Sequence, residues 1–246
     1  MEGMKDIPDE SIDMILCDLP YGITANKWDS RINLKDMWAQ YWRLLKQNGV
    51  VALTASQPFT SILVQSQVHL FRHEWIWIKN RGSNFANTTR EPMKEHESIL
   101  IFSRGKWTYN KQMQERTGGG KSRVRYNIKY ESQSSNYRNF DGRPENKRPN
   151  LRVPSSWQKF NCEVGLHPTQ KPTPLFEYLI RTYTNPGETV LDNCIGSGTT
   201  AIACINTGRN FIGYELDKKY YSIAIQRIEE HRKNKPETQE EPRCKP

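Results

Sequence analysis

Two short stretches carry residues whose types and spacing suit chemistry. The first, "CDLPYG" at 17–22, ends the mostly apolar run "SIDMIL". A carboxylate at the end of a buried strand is costly unless it meets a partner. Asp18, followed by Leu19, Pro20 and Tyr21, therefore marks a corner that holds something. The second stretch is "VLDNCIGSGTTAIACINTG", followed by "FIGYELD". Asp192 ends a run that reads as a strand, and Gly196, Ser197 and Gly198 lead into a helix that opens at Thr199 and Thr200. Glu215 stands at the end of the next strand, 17 residues after Gly198. Glycines let a ligand approach the backbone, and a helix start offers free N–H groups. An acid at the next strand end can accept both hydroxyls of a ribose. Gly196-x-Gly198-x-x-Ala201 also satisfies the dinucleotide fingerprint, so a nicotinamide enzyme is a rival reading. Asp192, four residues before the first glycine, suits a ligand amine better than a pyrophosphate. A tight strand–helix turn with no ligand is the third reading of this loop.

These residues need elements to position them. Ile12–Asp18 reads as a buried strand. The apolar spacing of Leu34, Met37, Trp38, Tyr41, Leu44 and Leu45 predicts a helix over Leu34–Lys46. Asn48-Gly49 is expected to stop that helix before a strand at Val50–Ala55. Phe59–Val68 reads as helix. Glu74–Lys79 alternates Trp75 and Trp77 with Ile76 and Ile78, as in a strand buried on both faces. Asn80–Glu95 reads as a polar loop and Ser98–Ser103 as a strand. Thr173 is placed to cap a helix with Pro174 in its first turn. Thr189–Cys194 and Asn210–Glu215 read as strands around a helix at Thr199–Thr207. Lys218–Lys233 reads as an amphipathic helix with Tyr221, Ala224, Ile225 and Ile228 inward. Strands alternating with helices imply a three-layered α/β fold with a mostly parallel sheet.

The chain has 246 residues and a net charge of +9, enough length for one large α/β domain with an insertion. No apolar run is long enough to span a membrane, the acidic start has no signal region, and a cytoplasmic setting is expected. The five cysteines are scattered, without zinc-site or redox spacing, and no metal is expected. Between Arg104 and Lys159 stand fourteen Lys/Arg against four Asp/Glu, a net of +10. One segment thus carries the basic excess, and nucleic acid is the obvious polyanion. Apolar periodicity fades over 105–165, where basic residues alternate with tyrosines. This stretch reads as a loop-rich insertion contacting nucleic acid; a solvated loop is the alternative. The flanking regions, 1–104 and 166–233, read as two halves of one domain, and 234–246 as a disordered tail.

Taken together, Asp18-Leu19-Pro20-Tyr21, the Asp192–Thr200 loop, "WIKN…HESILIFSRG" and "HPTQKP" resemble the DNA N-4/N-6 amino-methyltransferase family over about Pro8 to Glu229. The order of the motifs resembles its circularly permuted β group, and the sequence is most similar to site-specific adenine-N6 enzymes. The resemblance implies a Rossmann-like methyltransferase fold, with helices on both faces of the sheet, and S-adenosylmethionine as cofactor. The implied partner is double-stranded DNA, with no membrane. A homodimer and a cognate restriction endonuclease, in a bacterial or phage setting, stay open. In that family's chemistry, Asp18 and the Leu19 carbonyl would accept the two N–H bonds of an extruded adenine amine, freeing its lone pair. Pro20 would hold Leu19 extended, and Tyr21 would offer a stacking face. Asp192, Cys194, Gly196, Ser197, Gly198, Thr199 and Thr200 would line the methionine end of the cofactor. Glu215 would hold its ribose, and Thr169, Gln170 and Lys171 would reach its carboxylate and the nearby strand edge. Lys121, Arg123, Arg125, Lys129, Arg138, Arg143, Lys147 and Arg148 would meet DNA.

Three departures from the family pattern bear on these expectations. Leu19 stands where proline is usual, and Asn193-Cys194 where Pro-Phe is common. Members also carry a strand ending Gly-Asp-Cys just before the segment that reads here "EGMKDIPDES". Unless translation begins upstream, a sheet one strand short is expected, with the cofactor pocket open on its adenine side. An acid at position 18 leans toward adenine. A cytosine-N4 enzyme, an RNA methyltransferase and a DNA-binding protein with an impaired site are the alternatives.

Overall fold

A computed structural model of the chain describes residues 2–21, 32–116, 150–163, 165 and 170–234. It divides into two compact units. The first comprises 1–110 and 156–246, the second 111–155. The first and last residues of the segment expected as an insertion, 105–110 and 156–165, thus belong to the first unit. Within the second unit, the described strands β5 (Gln114–Glu115) and β6 (Leu151–Arg152) pair antiparallel.

The first unit is built on a mixed, mostly parallel sheet. Its strands in chain order are β1 (Ile12–Cys17), β2 (Leu45–Ala55), β3 (Phe71–Ser83), β4 (Lys94–Phe102), β7 (Trp157–Lys159), β8 (Thr189–Asp192) and β9 (Asn210–Gly213). They lie in the order β7-β3-β4-β2-β1-β8-β9. Strands β2, β1, β8 and β9 run parallel; β4 is antiparallel to both β2 and β3, and β7 is parallel to β3. The helices are α1 (Leu34–Leu44), α2 (Phe59–Ser66), α3 (Thr173–Tyr183), α4 (Thr199–Thr207) and α5 (Lys218–Asn234).

Alternate residues of the central strands point to opposite faces, and two cores result. Ile15, Cys17, Leu53 and Phe102 pack with Met37, Trp38 and Tyr41 of α1 and with Leu63 of α2. Met14, Leu16, Val50 and Ile99 pack with Leu175, Leu179 and Ile180 of α3 and Ala203 of α4. The chain turns to β2 on one side of β1 and runs from β8 to β9 on the other. The carboxyl ends of β1 and β8 therefore meet at a topological switch point, where open α/β sheets bind ligands. Asp13 braces this junction: its carboxylate accepts from Lys46 Nζ (2.8 Å) and from the Thr189 amide (2.9 Å).

Several expectations need correction. The sheet has seven strands, not six. The seventh is β7, three residues with no readable periodicity, which adds beside β3 at one edge. The residues at the chain start add no strand: Glu2–Asp6 form a 3-10 helix, and β9 is the other edge. Helix α1 ends at Leu44, and Asn48-Gly49 lies inside β2 instead of separating helix from strand. A bulge there lets β2 continue, since Ile12 faces Leu45 while Met14 faces Val50. Gly49 is needed for close approach, because a Cβ would sit 2.9 Å from the Asp13 carbonyl. In β3, Trp75 and Trp77 are buried, but Ile76 and Ile78 are only half covered, because neither joins the core on their face. The polar stretch after Lys79 continues β3 to Ser83, and β4 starts at Lys94. Thr173 is the first residue of α3 and not its cap, and its amide donates to Glu163. On α5, Ala224 and Ile228 are buried, whereas Tyr221 and Ile225 are 53% and 40% exposed. One i,i+4 row covers the contact with α4, and the neighbouring row faces outward. Helix α5 includes Asn234; the rest of the expected tail, 235–246, lies outside the described residues.

Candidate active site

The corner after β1 is a polar knot. Asp18 Oδ1 accepts from the Tyr21 hydroxyl (2.9 Å) and from the hydroxyl of Thr54, near the end of β2. Its Oδ2 accepts from Lys171 Nζ at 2.6 Å. Burial pushes the Tyr21 hydroxyl's pKa well up, as do the charges of Asp18 and Glu97, so the phenol stays protonated and donates. Its ring packs against Phe59, centroids 5.3 Å apart. Leu19 is buried in the core below.

Lys171 is 7% exposed. Burial alone would lower its pKa, but Asp18 and Glu97 outweigh that and hold it above the usual lysine value. Its Nζ lies 3.5 Å from Glu97 Oε2, and Lys79 takes the other oxygen of Glu97. Burial works to raise Glu97, yet these two lysines hold its carboxyl below the ordinary range. A chain of alternating charges thus runs Asp18–Lys171–Glu97–Lys79. Lys171 was expected to reach the cofactor carboxylate and the nearby strand edge; its Nζ lies on Asp18, at the end of β1. Gln170 donates to Glu163 (3.1 Å), while its Oε1 is buried without a hydrogen-bond partner. Thr169 lies outside the described residues.

The glycine loop follows β8 on the neighbouring strand. Asp192 Oδ1 accepts from the Cys194 amide (3.0 Å), and Oδ2 accepts from the Thr200 hydroxyl. Burial raises the Asp192 carboxyl to about 6, against the lowering effect of those bonds. Gly196 and Gly198 have φ of 54° and 85°, the left-handed region that favours glycine. A Cβ on Gly198 would also press on Ala224 of α5 at 3.3 Å. Ser197 and Thr199 are fixed by Arg227, whose guanidinium donates to the Ser197 carbonyl and the Thr199 hydroxyl, each at 3.2 Å. Glu215 accepts from the Gly196 amide (2.8 Å) and the Asp217 amide (2.9 Å).

Both strand ends open into one cavity of about 1200 Å³. Its lining includes Asp18, Tyr21, Lys171, Asp192, Thr200 and Glu215. Pro20, Leu19, Cys194, Gly196, Ser197, Thr199 and Gln170 also reach it; Gly198 instead packs behind, on α5. The cavity suits a nucleoside carrying an amino acid. Glu215 has spent two of about four lone pairs, the buried Gln170 Oε1 awaits a donor, and Gly196, with no side chain, lines the wall. On the Glu215 side, Leu216 is 98% exposed. Sequence reading missed Thr54, Glu97, Lys79 and Glu163. Glu97 follows Lys94, Glu95 and His96 in the polar first half of β4, so nothing local set it apart. The eight basic residues assigned to DNA, Lys121 through Arg148, lie outside the described residues.

A switch-point cavity reached by a glycine loop on one strand and an acid-x-proline-tyrosine corner on the next is the arrangement of Rossmann-like methyltransferases. Residues 12–226 match the N6/N4 family model described as DNA methylase, and the chain belongs to that family. It is 28% identical to the DNA adenine methyltransferase YhdJ of Escherichia coli K12, over 92% of this chain and 79% of that one. It is 26% identical to the type II methyltransferase M.HpaI of Haemophilus parainfluenzae, over 93% and 72%. The solved structure of the M1.HpyAVI–SAM complex superposes with a TM-score of 0.62 at 29% identity, covering 92% of this chain and 94% of that one.

Proposed function

We propose that the protein transfers a methyl group from S-adenosylmethionine to the exocyclic N6 amine of an adenine extruded from double-stranded DNA, at a specific site. The observation that carries this reading is the shared cavity, with Asp18 on one strand end and the glycine loop on the next. The cofactor's sulfonium supplies the methyl in activated form. Asp192 and the loop from Cys194 to Thr200 hold its methionine end, with Gln170 beside them, and Glu215 holds its ribose. Thr169 is assigned to the same end by the sequence motif.

Asp18 does the work on the base. An ionised carboxylate offers about four acceptor sites; Tyr21, Thr54 and Lys171 take three. One is left for an amine N–H, and the Leu19 carbonyl accepts the other. Two acceptors off the ring plane draw the nitrogen toward tetrahedral geometry and release its lone pair. Lys171 fixes the carboxylate's orientation, and Pro20 that of the Leu19 carbonyl. Most of the rate gain is then positioning and electrostatics. The relative YhdJ is named an adenine methyltransferase, and an acid at position 18 accords with an adenine target.

Methylation-sensitive sequencing of host DNA after expression is the direct test. One sequence motif carrying N6-methyladenine is the expected result. N4-methylcytosine would move the target to cytosine, and unmethylated DNA would leave a binding protein with an impaired site.

The basic segment is the proposed DNA-contacting region, with Lys129, Arg138, Arg143, Lys147 and Arg148 among its cations. Neutralising Lys121, Arg123 and Arg125 together is expected to weaken DNA binding. It should flatten the log–log salt dependence by roughly two to three units if each meets one phosphate. An unchanged slope in a fluorescence titration removes these residues from the backbone contact.

A further inference from the structure

The connection between β3 and β4 displays a side chain that the proposed transfer does not use. Ser83 pairs with Lys94 across these strands, and Phe85 sits in the turn beyond them, 80% exposed. It is the most exposed aromatic among the described residues. Its neighbours Ser83, Asn84 and Asn87 line the active-site cavity, so the turn that carries the ring borders that cavity.

The turn holding it is braced. Asn84 adopts the left-handed region, φ 71°, and its side-chain amide donates to Glu91 Oε1 at 2.6 Å. The Thr88 hydroxyl donates to the Phe85 carbonyl at 2.8 Å. Met93 fills the space that a side chain on Gly82 would need, since a Cβ there would lie 2.2 Å from it. A large apolar ring on a fixed turn in water gains nothing for the fold. Around it stand three cations and two acids: Arg81, Lys94 and Glu91 line the cavity, and Arg90 and Glu95 are exposed, a small positive excess.

We propose that Phe85 is a wedge that enters the DNA base stack next to the target and fills the gap left by the extruded base. This rests on the reading of the site as one that methylates an extruded base. Extrusion costs a few kcal/mol of lost stacking and pairing, and apolar side chains inserted between base steps offset such a cost. Phosphates flanking the gap face Arg81, Arg90 and Lys94, which hold the ring in register. Phe85 is a positioning residue: it acts on the duplex, and the chemistry on the base stays with Asp18.

The test compares Phe85→Ala, Phe85→Trp and wild type on two duplexes bearing the mapped recognition sequence. One is fully paired; the other has an abasic site opposite the target, so that extrusion is already made easy. Phe85→Ala is expected to lose at least about tenfold in kcat/KM on the paired duplex. On the abasic duplex it should come within about twofold of wild type, with unchanged cofactor affinity, and Phe85→Trp should keep activity on both. Wild-type-like rates for Phe85→Ala on paired DNA, or equal losses on both duplexes, overturn the wedge while leaving the methyltransferase reading intact. A wild-type protein that methylates neither duplex overturns that reading, and the wedge with it.

Discussion

Asp18→Ala is expected to cut turnover at least about a hundredfold, near 2.7 kcal/mol of transition-state stabilisation, while cofactor affinity changes little. The fold should survive, because Asp18 sits at a strand end and Lys171 keeps Glu97 as a counter-charge. Single-turnover methylation and cofactor titration on one preparation separate the two effects. The same geometry predicts that the loss falls on the chemical step and not on DNA affinity. Wild-type turnover in this variant would remove Asp18 from the reaction.

Asp192 should make cofactor binding depend on pH. Burial lifts its carboxyl from the ordinary 3.8 to about 6. A raised carboxyl favours the folded state below about pH 4, where both forms are protonated, and that advantage is lost as pH rises through about 6. Keeping Asp192 ionised at neutral pH then costs about 3 kcal/mol of stability. A cationic amine at the site favours the ionised form. Affinity for S-adenosylmethionine is therefore expected to rise about tenfold between pH 5 and pH 7 and to level off above that. Asp192→Asn should abolish this rise and bind about tenfold to a hundredfold more weakly at pH 7.5, the loss of a charge-assisted hydrogen bond. Calorimetric titration across this range reads both effects. A flat affinity from pH 5 to pH 7 would place the cofactor's amine elsewhere.

Both of these side chains could be found in the sequence, for a physical reason. An acid ending an apolar run, and glycines before a helix, are local signals, because the backbone geometry they serve is local. Helix α4 was legible to the residue on the same ground. What escaped was long-range. The bond from Lys171 to Asp18 joins residues 153 positions apart, and nothing near Lys171 announces its partner. Thr54 and Glu97 were hidden likewise, since their roles arise from strand neighbours. Strand β7 is too short for a period to show. The facing of Tyr221 and Ile225 was misjudged because an apolar stripe on a helix does not state how wide its neighbour is.

The bond between Asp13 and the Thr189 amide spans 176 positions, and it marks where β8 seats itself beside β1. During synthesis on the ribosome β1 emerges well before the strand that covers its open flank, since Thr189 of β8 follows Asp13 by those 176 positions. Until then the nascent protein exposes an unpaired strand edge, a template for sticking to other chains. The half-made enzyme is also inert, since the floor that would cradle a methyl donor does not yet exist. A cell making this protein is spared methylation by products that stop short of β8, and in exchange must shield a vulnerable edge until that strand is made.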